Sequence, residues 1–335
     1  MFLISIQKLL KLIKQNEKMK KPLLIIIGLF LLSFLIYKIG IKEITETAKN
    51  FNFLFLPLII VVFLISYILA AINIWVLLRP YKKISIAKLI KYVFFILFYS
   101  SFTPGKIADF FLIFYLKKDN INVSKSTIIT IFDKSISVII KSLFGIIGAL
   151  FILKELNLLF IGIPIIMIFL MILLFLILLS KRFRDIIKKL ILKKYSKIFK
   201  GFSKNLKKYI KNYKKELLYN GLITILKTIF EATLLYLLFL SFGENTNFIK
   251  ILLIFSLLSV VNFIILPIGI SGLGLREALG VIMYSAVGVN SAVVFSSYIL
   301  RLIIVYLTNL ITFLSYSKEM NLIKKHKLFD KVKFK

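Results

Sequence analysis

"LPIGISGLGLREALG", residues 266–280, lies between two long apolar runs and places Gly269, Gly272, Gly274 and Gly280 within twelve positions, with Arg276 and Glu277 following the third. Glycine admits backbone conformations that end a helix, and a charge at the centre of a membrane helix costs about 2.5–3.5 kcal/mol on insertion scales. A break carrying two charges therefore calls for a partner or a task. The rest of the chain decides whether this stretch lies in a membrane at all.

Of 335 residues 60% are hydrophobic, the mean hydropathy is +0.95, and 47 Lys and Arg face 14 Asp and Glu. Soluble domains are about half apolar, whereas runs of about 20 apolar residues are what a hydrocarbon layer of about 30 Å demands of a spanning helix. The composition predicts an all-α, polytopic membrane helix bundle. Six candidate spans stand at 22–39, 53–78, 124–153, 158–180, 217–242 and 292–317. Two further regions, 85–117 and 248–290, are each too long for one span and are interrupted by Pro and Gly.

A formal charge of +33 also fits a nucleic-acid surface, but no nucleic-acid-binding motif is present and the cations gather between apolar runs, as in cytoplasmic loops facing anionic lipid. Six Lys precede the first span, five cations fall in 79–91, three in 117–125, fifteen against two acids in 181–216, and seven after 317. The gaps 38–52, 154–155 and 243–247 are poor in net positive charge. If each broken region enters and leaves on one face, by a hairpin or by two crossings, every cation-rich gap falls inside. Both termini are then cytoplasmic, in the cell membrane.

Residues 1–20 set Phe2, Leu3, Ile6, Leu9, Leu10 and Ile13 on one helical face, an interfacial pattern. The run from Pro22 to Tyr37 ends without a small-x-small cleavage site and reads as a retained anchor. The domain organisation is one integral membrane domain over 1–317. Its halves are 22–180 and 217–317, joined by a basic amphipathic cytoplasmic loop at 181–216 and followed by a basic tail at 318–335. The loop serves as an orientation signal or as a lipid-recognition surface.

This topology makes the two broken regions open from opposite faces, an inverted repeat of the kind common in transporters. "TPGKIAD" (103–109) and "GLGLRE" (272–277) each hold a glycine break, a cation and an acid: Gly105, Lys106 and Asp109 against Gly274, Arg276 and Glu277. Lys134 follows Asp109 by 25 residues and Arg301 follows Glu277 by 24. If each break opens a half-helix, its free N–H groups and dipole can receive an anionic group such as a lipid phosphate. Asp109 and Glu277 then cap those N–H groups or pair with Lys134 and Arg301; capping and ion pairing alone is the plainer alternative.

Other charges inside apolar spans are Asp133, Lys141, Lys227 and Glu231. Lys227 and Glu231 are spaced i, i+4 and are expected to pair within one helix. Asp133 and Lys134 are adjacent, point to different parts of the helix surface and are expected to find partners on other helices. The candidate substrate-binding set is Lys106, Asp109, Asp133, Lys134, Gly274, Arg276, Glu277 and Arg301. No catalytic residue, cofactor or metal is expected: Cys is absent, His326 stands alone in the tail, and no P-loop, H-E-x-x-H or G-x-S-x-G occurs. "GISGLGLRE" does not complete G-x-G-x-x-G, since position 277 is Glu.

"SSFTPGKIADFFLIFYLKKDNINVSKSTIITIFDKSISV" (100–138) and "LPIGISGLGLREALGVIMYSAVGVNSAVVFSSYILR" (266–301) resemble the two signatures of a flippase-like family that includes the membrane region of lysylphosphatidylglycerol synthases. The likeness runs from about residue 20 to 317. The resemblance implies a multi-pass domain with re-entrant helices that moves charged lipids between leaflets, sometimes joined to a soluble aminoacyl transferase or accompanying a polyprenyl-phosphate glycosyltransferase. Eighteen residues after 317 do not hold such a domain, so transferase activity is not expected of this chain. Position 134 is Lys where the family pattern leads one to expect Arg, which keeps the charge and loses a bidentate fork for phosphate.

Two functions remain from the residues and the resemblance. One is a non-enzymatic flippase or transporter of a charged lipid or lipid-linked intermediate, with anionic or phosphate-bearing membrane lipids as partners. The other is a membrane partner that recruits or regulates a separate membrane glycosyltransferase.

Overall fold

The computed structural model describes residues 20–101, 107–151, 159–180, 202–265 and 272–320. The described residues form α-helices and short 3-10 turns, with no strand among them. In chain order the helices are α1 (Lys20–Ile39), α2 (Ile41–Lys49), α3 (Leu56–Leu78), α4 (Ile86–Ser100), α5 (Phe111–Lys118) and α6 (Val123–Phe151). Then come α7 (Leu159–Leu179), α8 (Phe202–Asn212), α9 (Lys214–Ser241), α10 (Phe248–Ile265), α11 (Leu275–Ser285) and α12 (Ser291–Met320). The interfacial helix expected over 1–20 lies almost wholly outside the described residues, as do Lys106, most of the 181–216 loop and the tail from 321.

Among the described residues four helical stretches are long and apolar enough to cross a membrane: Phe53–Leu78, Ile161–Leu179, Lys214–Ser241 and Ser291–Tyr316. Each falls on an expected span. The shorter apolar stretch Ile26–Ile39 lies on a fifth, and α6, with 29 residues, on the sixth, although Asp133, Lys134 and Lys141 interrupt its apolar surface. Large apolar side chains cover the outside; on α7 Ile166, Phe169, Ile172 and Leu176 are all more than half exposed. That suits a lipid surround, where a helix satisfies its own backbone and shows carbon outward.

The centre is an antiparallel pair, α3 and α9. The Asn52 N–H donates to the Ser241 carbonyl at 2.7 Å beside the start of α3 and the end of α9. Deeper in the pair, Asn73 Nδ2 donates to Thr224 Oγ1 at 3.0 Å and Asn220 Nδ2 to the Asn73 carbonyl at 3.2 Å. Such polar contacts draw apolar helices together where hydrophobic burial supplies little drive.

Both broken regions are helical hairpins. In the first, α4 runs in and α5 runs back; Asp119, just past α5, accepts from Tyr92 Oη at 2.8 Å and from the Lys88 ammonium, and its carbonyl accepts from Lys82 Nζ at 2.7 Å. In the second, α10 runs in and α11 runs back, and Tyr284 Oη near the end of α11 donates to the Ile251 carbonyl near the start of α10 at 3.3 Å. The first hairpin follows the C-terminus of α3 and the second that of α9, so they open toward opposite ends of the bundle. Each inward arm packs on the long helix that follows the other hairpin, α4 on α12 and α10 on α6. Gly145 and Gly148 permit the latter contact, since a Cβ at either would stand 3.1 Å from Leu257 Cα or 3.0 Å from Leu253 Cβ.

Only the C-terminal part of the basic amphipathic segment lies among the described residues. Its described part, α8, exposes Lys204, Lys207, Lys208 and Lys211, but its apolar face is covered by protein. Leu206 and Tyr209 are fully buried, the Tyr209 ring stacks on Phe132 at 5.2 Å, and Tyr209 Oη donates to the Leu77 carbonyl at 2.7 Å. The helix thus plugs the ends of α3 and α6 with its apolar side.

Candidate functional site

The inner ends of the hairpin arms, at Ser101 and Asp109 in the first and at Leu273 and Arg276 in the second, meet a cavity of about 300 Å³ inside the bundle. Five cations line it: Lys134 and Lys141 from α6, Lys227 from α9, Arg276 from α11 and Arg301 from α12. Three carboxylates join them: Asp109 from the 3-10 turn before α5, Glu231 from α9 and Glu277 from α11. Ser100, Ser101, Ser137, Ser259 and Asn262 supply neutral polar groups, and Tyr67 and Tyr298 line the wall.

At the first hairpin, Lys134 Nζ stands 3.4 Å from Asp109 Oδ1 and 3.3 Å from Asp133 Oδ2. Lys134 thus finds one partner on another element and one on its neighbour in sequence, which the opposed directions of adjacent helical side chains argued against. Asp133 is only 5% exposed and does not line the cavity; it holds Lys134 from behind and accepts from Asn220 Nδ2 at a long 3.5 Å. The inner end of α4 is tied to α12 where Asn309 Nδ2 donates to Ser101 Oγ at 2.7 Å.

At the second hairpin, Gly272 and Gly274 adopt φ of +72° and +81°, which side-chain-bearing residues rarely occupy. The chain turns there and starts α11. Glu277, three residues on and 2% exposed, accepts the Gly274 N–H at 2.7 Å. This is the carboxylate half of a capping box; glycine has no side chain to return the bond. Gly274 also touches α1, for a Cβ on it would fall on the Gly28 carbonyl oxygen, and a Cβ on Gly28 would stand 2.8 Å from the Leu273 carbonyl oxygen. Gly274 therefore shapes the break and is not a cavity wall. An internal carboxylate, Glu277, thus takes the Gly274 N–H, and the Arg276 N–H bonds the Gly272 carbonyl at 3.0 Å.

Between the hairpins, Lys141 Nζ stands 2.6 Å from Glu231 Oε2. The i, i+4 pairing of Glu231 with Lys227 does not form; α6 offers a closer cation and Lys227 is left facing the cavity. Phe255 of α10 lies under both Lys141 (5.3 Å to the ring centre) and Arg301 (5.8 Å), a cation–π contact to each. Arg301 is in electrostatic reach of Glu231, Lys141, Arg276, Tyr67 and Tyr298.

Of the expected set, Asp109, Lys134, Arg276, Glu277 and Arg301 converge on one cavity, Asp133 and Gly274 support it from outside, and Lys106 lies outside the described residues. Lys141, Lys227 and Glu231 belong to the wall as well. Their signal was visible as charge in apolar spans, but the helical spacing of the last two concealed it. No group of three His, Cys, Asp or Glu that could hold a metal occurs among the described residues.

A family model described as the lysylphosphatidylglycerol synthase TM region matches residues 23–312. The chain belongs to this family. No curated protein and no solved structure gives a match. The segment shared with the lysylphosphatidylglycerol synthase TM region includes both hairpins and every charged residue of the cavity, from Asp109 to Arg301. The chain is thus a membrane protein with helical spans, and the charged residues of the cavity lie within the matched segment.

Proposed function

We propose that the protein carries a lipid with a phosphate-bearing headgroup between the leaflets of the cell membrane, without enzymatic chemistry. One observation carries this reading: a cavity with five cations and three carboxylates sits inside an apolar bundle, at the inner ends of hairpins opening toward opposite ends. Charges so placed are costly unless used. In this reading both hairpins are re-entrant, α4 and α5 from the cytoplasmic face and α10 and α11 from the outer one, with both termini cytoplasmic. The cation-rich loop at 79–91 lies at the open end of the first hairpin and supports that orientation.

A headgroup enters the cavity and meets Arg276, Arg301 and Lys227, while the acyl or isoprenoid chain stays in the bilayer against the apolar outer surface. Asp109 and Glu277 hold Lys134 and the start of α11 in place, so they position the cavity and do not contact a phosphate. The test is reconstitution of purified protein into vesicles with fluorescent phospholipids and measurement of leaflet exchange by dithionite quenching. Acceleration over protein-free vesicles, lost in Arg301→Gln, is expected. Exchange no faster than in empty vesicles for every phosphate-bearing lipid tried refutes the reading.

A further inference from the structure

The charges of the cavity divide into two poles. Lys134 pairs with Asp109 and Asp133 at one pole. At the other, Lys141 and Glu231 stand in electrostatic reach of Lys227 and Arg301, and Arg276 in reach of Arg301 and Glu277, so that among the described residues four cations meet two carboxylates, two positive charges in excess. Both carboxylates of the positive pole are already engaged, Glu231 by Lys141 at 2.6 Å and Glu277 by the Gly274 N–H at 2.7 Å. Among the described residues neither Lys227 nor Arg301 makes an ion pair or a hydrogen bond.

Two neutral donors stand at the same pole. Tyr298 is 4% exposed and Tyr67 also lines the cavity, and neither hydroxyl has a hydrogen-bond partner among the described residues. The Tyr298 ring is seated against α11 by Gly280, whose added Cβ would come within 2.7 Å of it. A tyrosine hydroxyl that faces the cavity beside unneutralised cations suits a negatively charged acceptor.

We infer that Arg301, Lys227, Tyr67 and Tyr298 form the seat of a single phosphate monoester dianion. The inference deepens the reading above and rests on it. Two excess positive charges match a monoester, which carries two negative charges above a second pKa of about 6. A phosphodiester brings one charge and leaves the other unneutralised. A diphosphate brings more negative charge than the two cations in excess neutralise. A cavity of about 300 Å³ is at the small end of ligand sites, which suits a bare phosphate better than a large glycosylated headgroup.

The test uses the full chain in phosphatidylcholine nanodiscs and reads binding by competition against a labelled phosphatidic acid. The probes are phosphatidic acid, phosphatidylglycerol, a prenyl diphosphate and inorganic phosphate. At pH 8 phosphatidic acid is expected to bind about tenfold more tightly than phosphatidylglycerol, the size of one charged hydrogen bond, with the advantage shrinking as pH falls through about 6. Arg301→Gln and Lys227→Gln each weaken phosphatidic acid by about tenfold and phosphatidylglycerol much less, while Arg301→Lys and Lys227→Arg restore most of the preference. Melting temperatures identify any variant that fails to fold, and the two conservative variants then carry the comparison.

Competition by phosphatidic acid where inorganic phosphate does not compete assigns the lipid as the source; equal competition assigns free phosphate to the same seat and overturns the lipid arm. Equal affinity for phosphatidic acid and phosphatidylglycerol at pH 8, or tighter binding of the diphosphate, overturns the monoester seat. Monoester preference without leaflet exchange supports the seat and sinks transport. Leaflet exchange without monoester preference does the reverse.

Discussion

The ammonium of Lys141 on α6 stands 2.6 Å from the carboxylate of Glu231 on α9, although 90 positions separate them in the chain. Both side chains are less than a quarter exposed, and the pair joins the helix after the first hairpin to the helix before the second. It is therefore a bond between the two halves at the level of the cavity.

Breaking this pair one side at a time leaves a buried charge alone, so Lys141→Met and Glu231→Leu should each cost about 3–5 kcal/mol, whereas the double variant should recover much of the loss. Thermal unfolding of the four proteins in one detergent provides the cycle. Additive losses would show that the two charges are not partners.

Gly274→Ala combines a disfavoured φ of +81° with a Cβ directed at the Gly28 carbonyl. A cost of at least about 2 kcal/mol is expected, well above the few tenths of a typical surface change. Gly288→Ala is the control: it has a comparable φ of +92° but nothing within 4 Å of an added Cβ, so it reports backbone strain alone. Similar melting temperatures for the two variants would mean that contact with α1 contributes nothing.

Glu277→Ala leaves the Gly274 N–H without its acceptor, at a cost of about 1–3 kcal/mol. Glu277→Gln retains a carbonyl oxygen at the same reach and should recover most of that stability. If Gln is as damaging as Ala, the negative charge, not the cap, is what this position requires.

Lys134→Met removes the cation that Asp109 and Asp133 share. Because Lys134 is 35% exposed toward the cavity, the loss should be about 2 kcal/mol, below that of Lys141→Met. Lys134→Arg keeps both pairings and should leave the melting temperature within about 0.5 kcal/mol equivalent of the parent. An equal loss in the Met and Arg variants would point to packing and not to charge.

Much of the architecture could be read before any coordinates, because a bilayer leaves the backbone few options and apolar length alone marks helices such as α3, α7 and α9. Cations counted in the gaps led to broken regions opening from opposite faces, by hairpins or by two crossings; Asp109, Arg276 and Glu277 stood out as charges beside a glycine break and Arg301 as a charge in an apolar span, and all four line the cavity. Partner choice was not legible. Local spacing matched Glu231 with Lys227, yet the packing of α6 on α9 delivered Lys141, and nothing in the neighbourhood of Glu231 encodes that. Gly28 sits in a plain apolar run, where no pattern marks it as the surface on which Gly274 rests. Tyr67 and Tyr298 are two of fifteen tyrosines, distinguished only by what surrounds them in three dimensions.

The contact between Gly28 and Gly274 is made by main-chain atoms on both sides. A side-chain contact yields when a rotamer turns; this one yields only when one backbone is carried away from the other. The bend that opens α11 therefore cannot move closer to the first helix of the protein without displacing its main chain, so that side of the cavity can close no further than the position of α1 in the membrane allows.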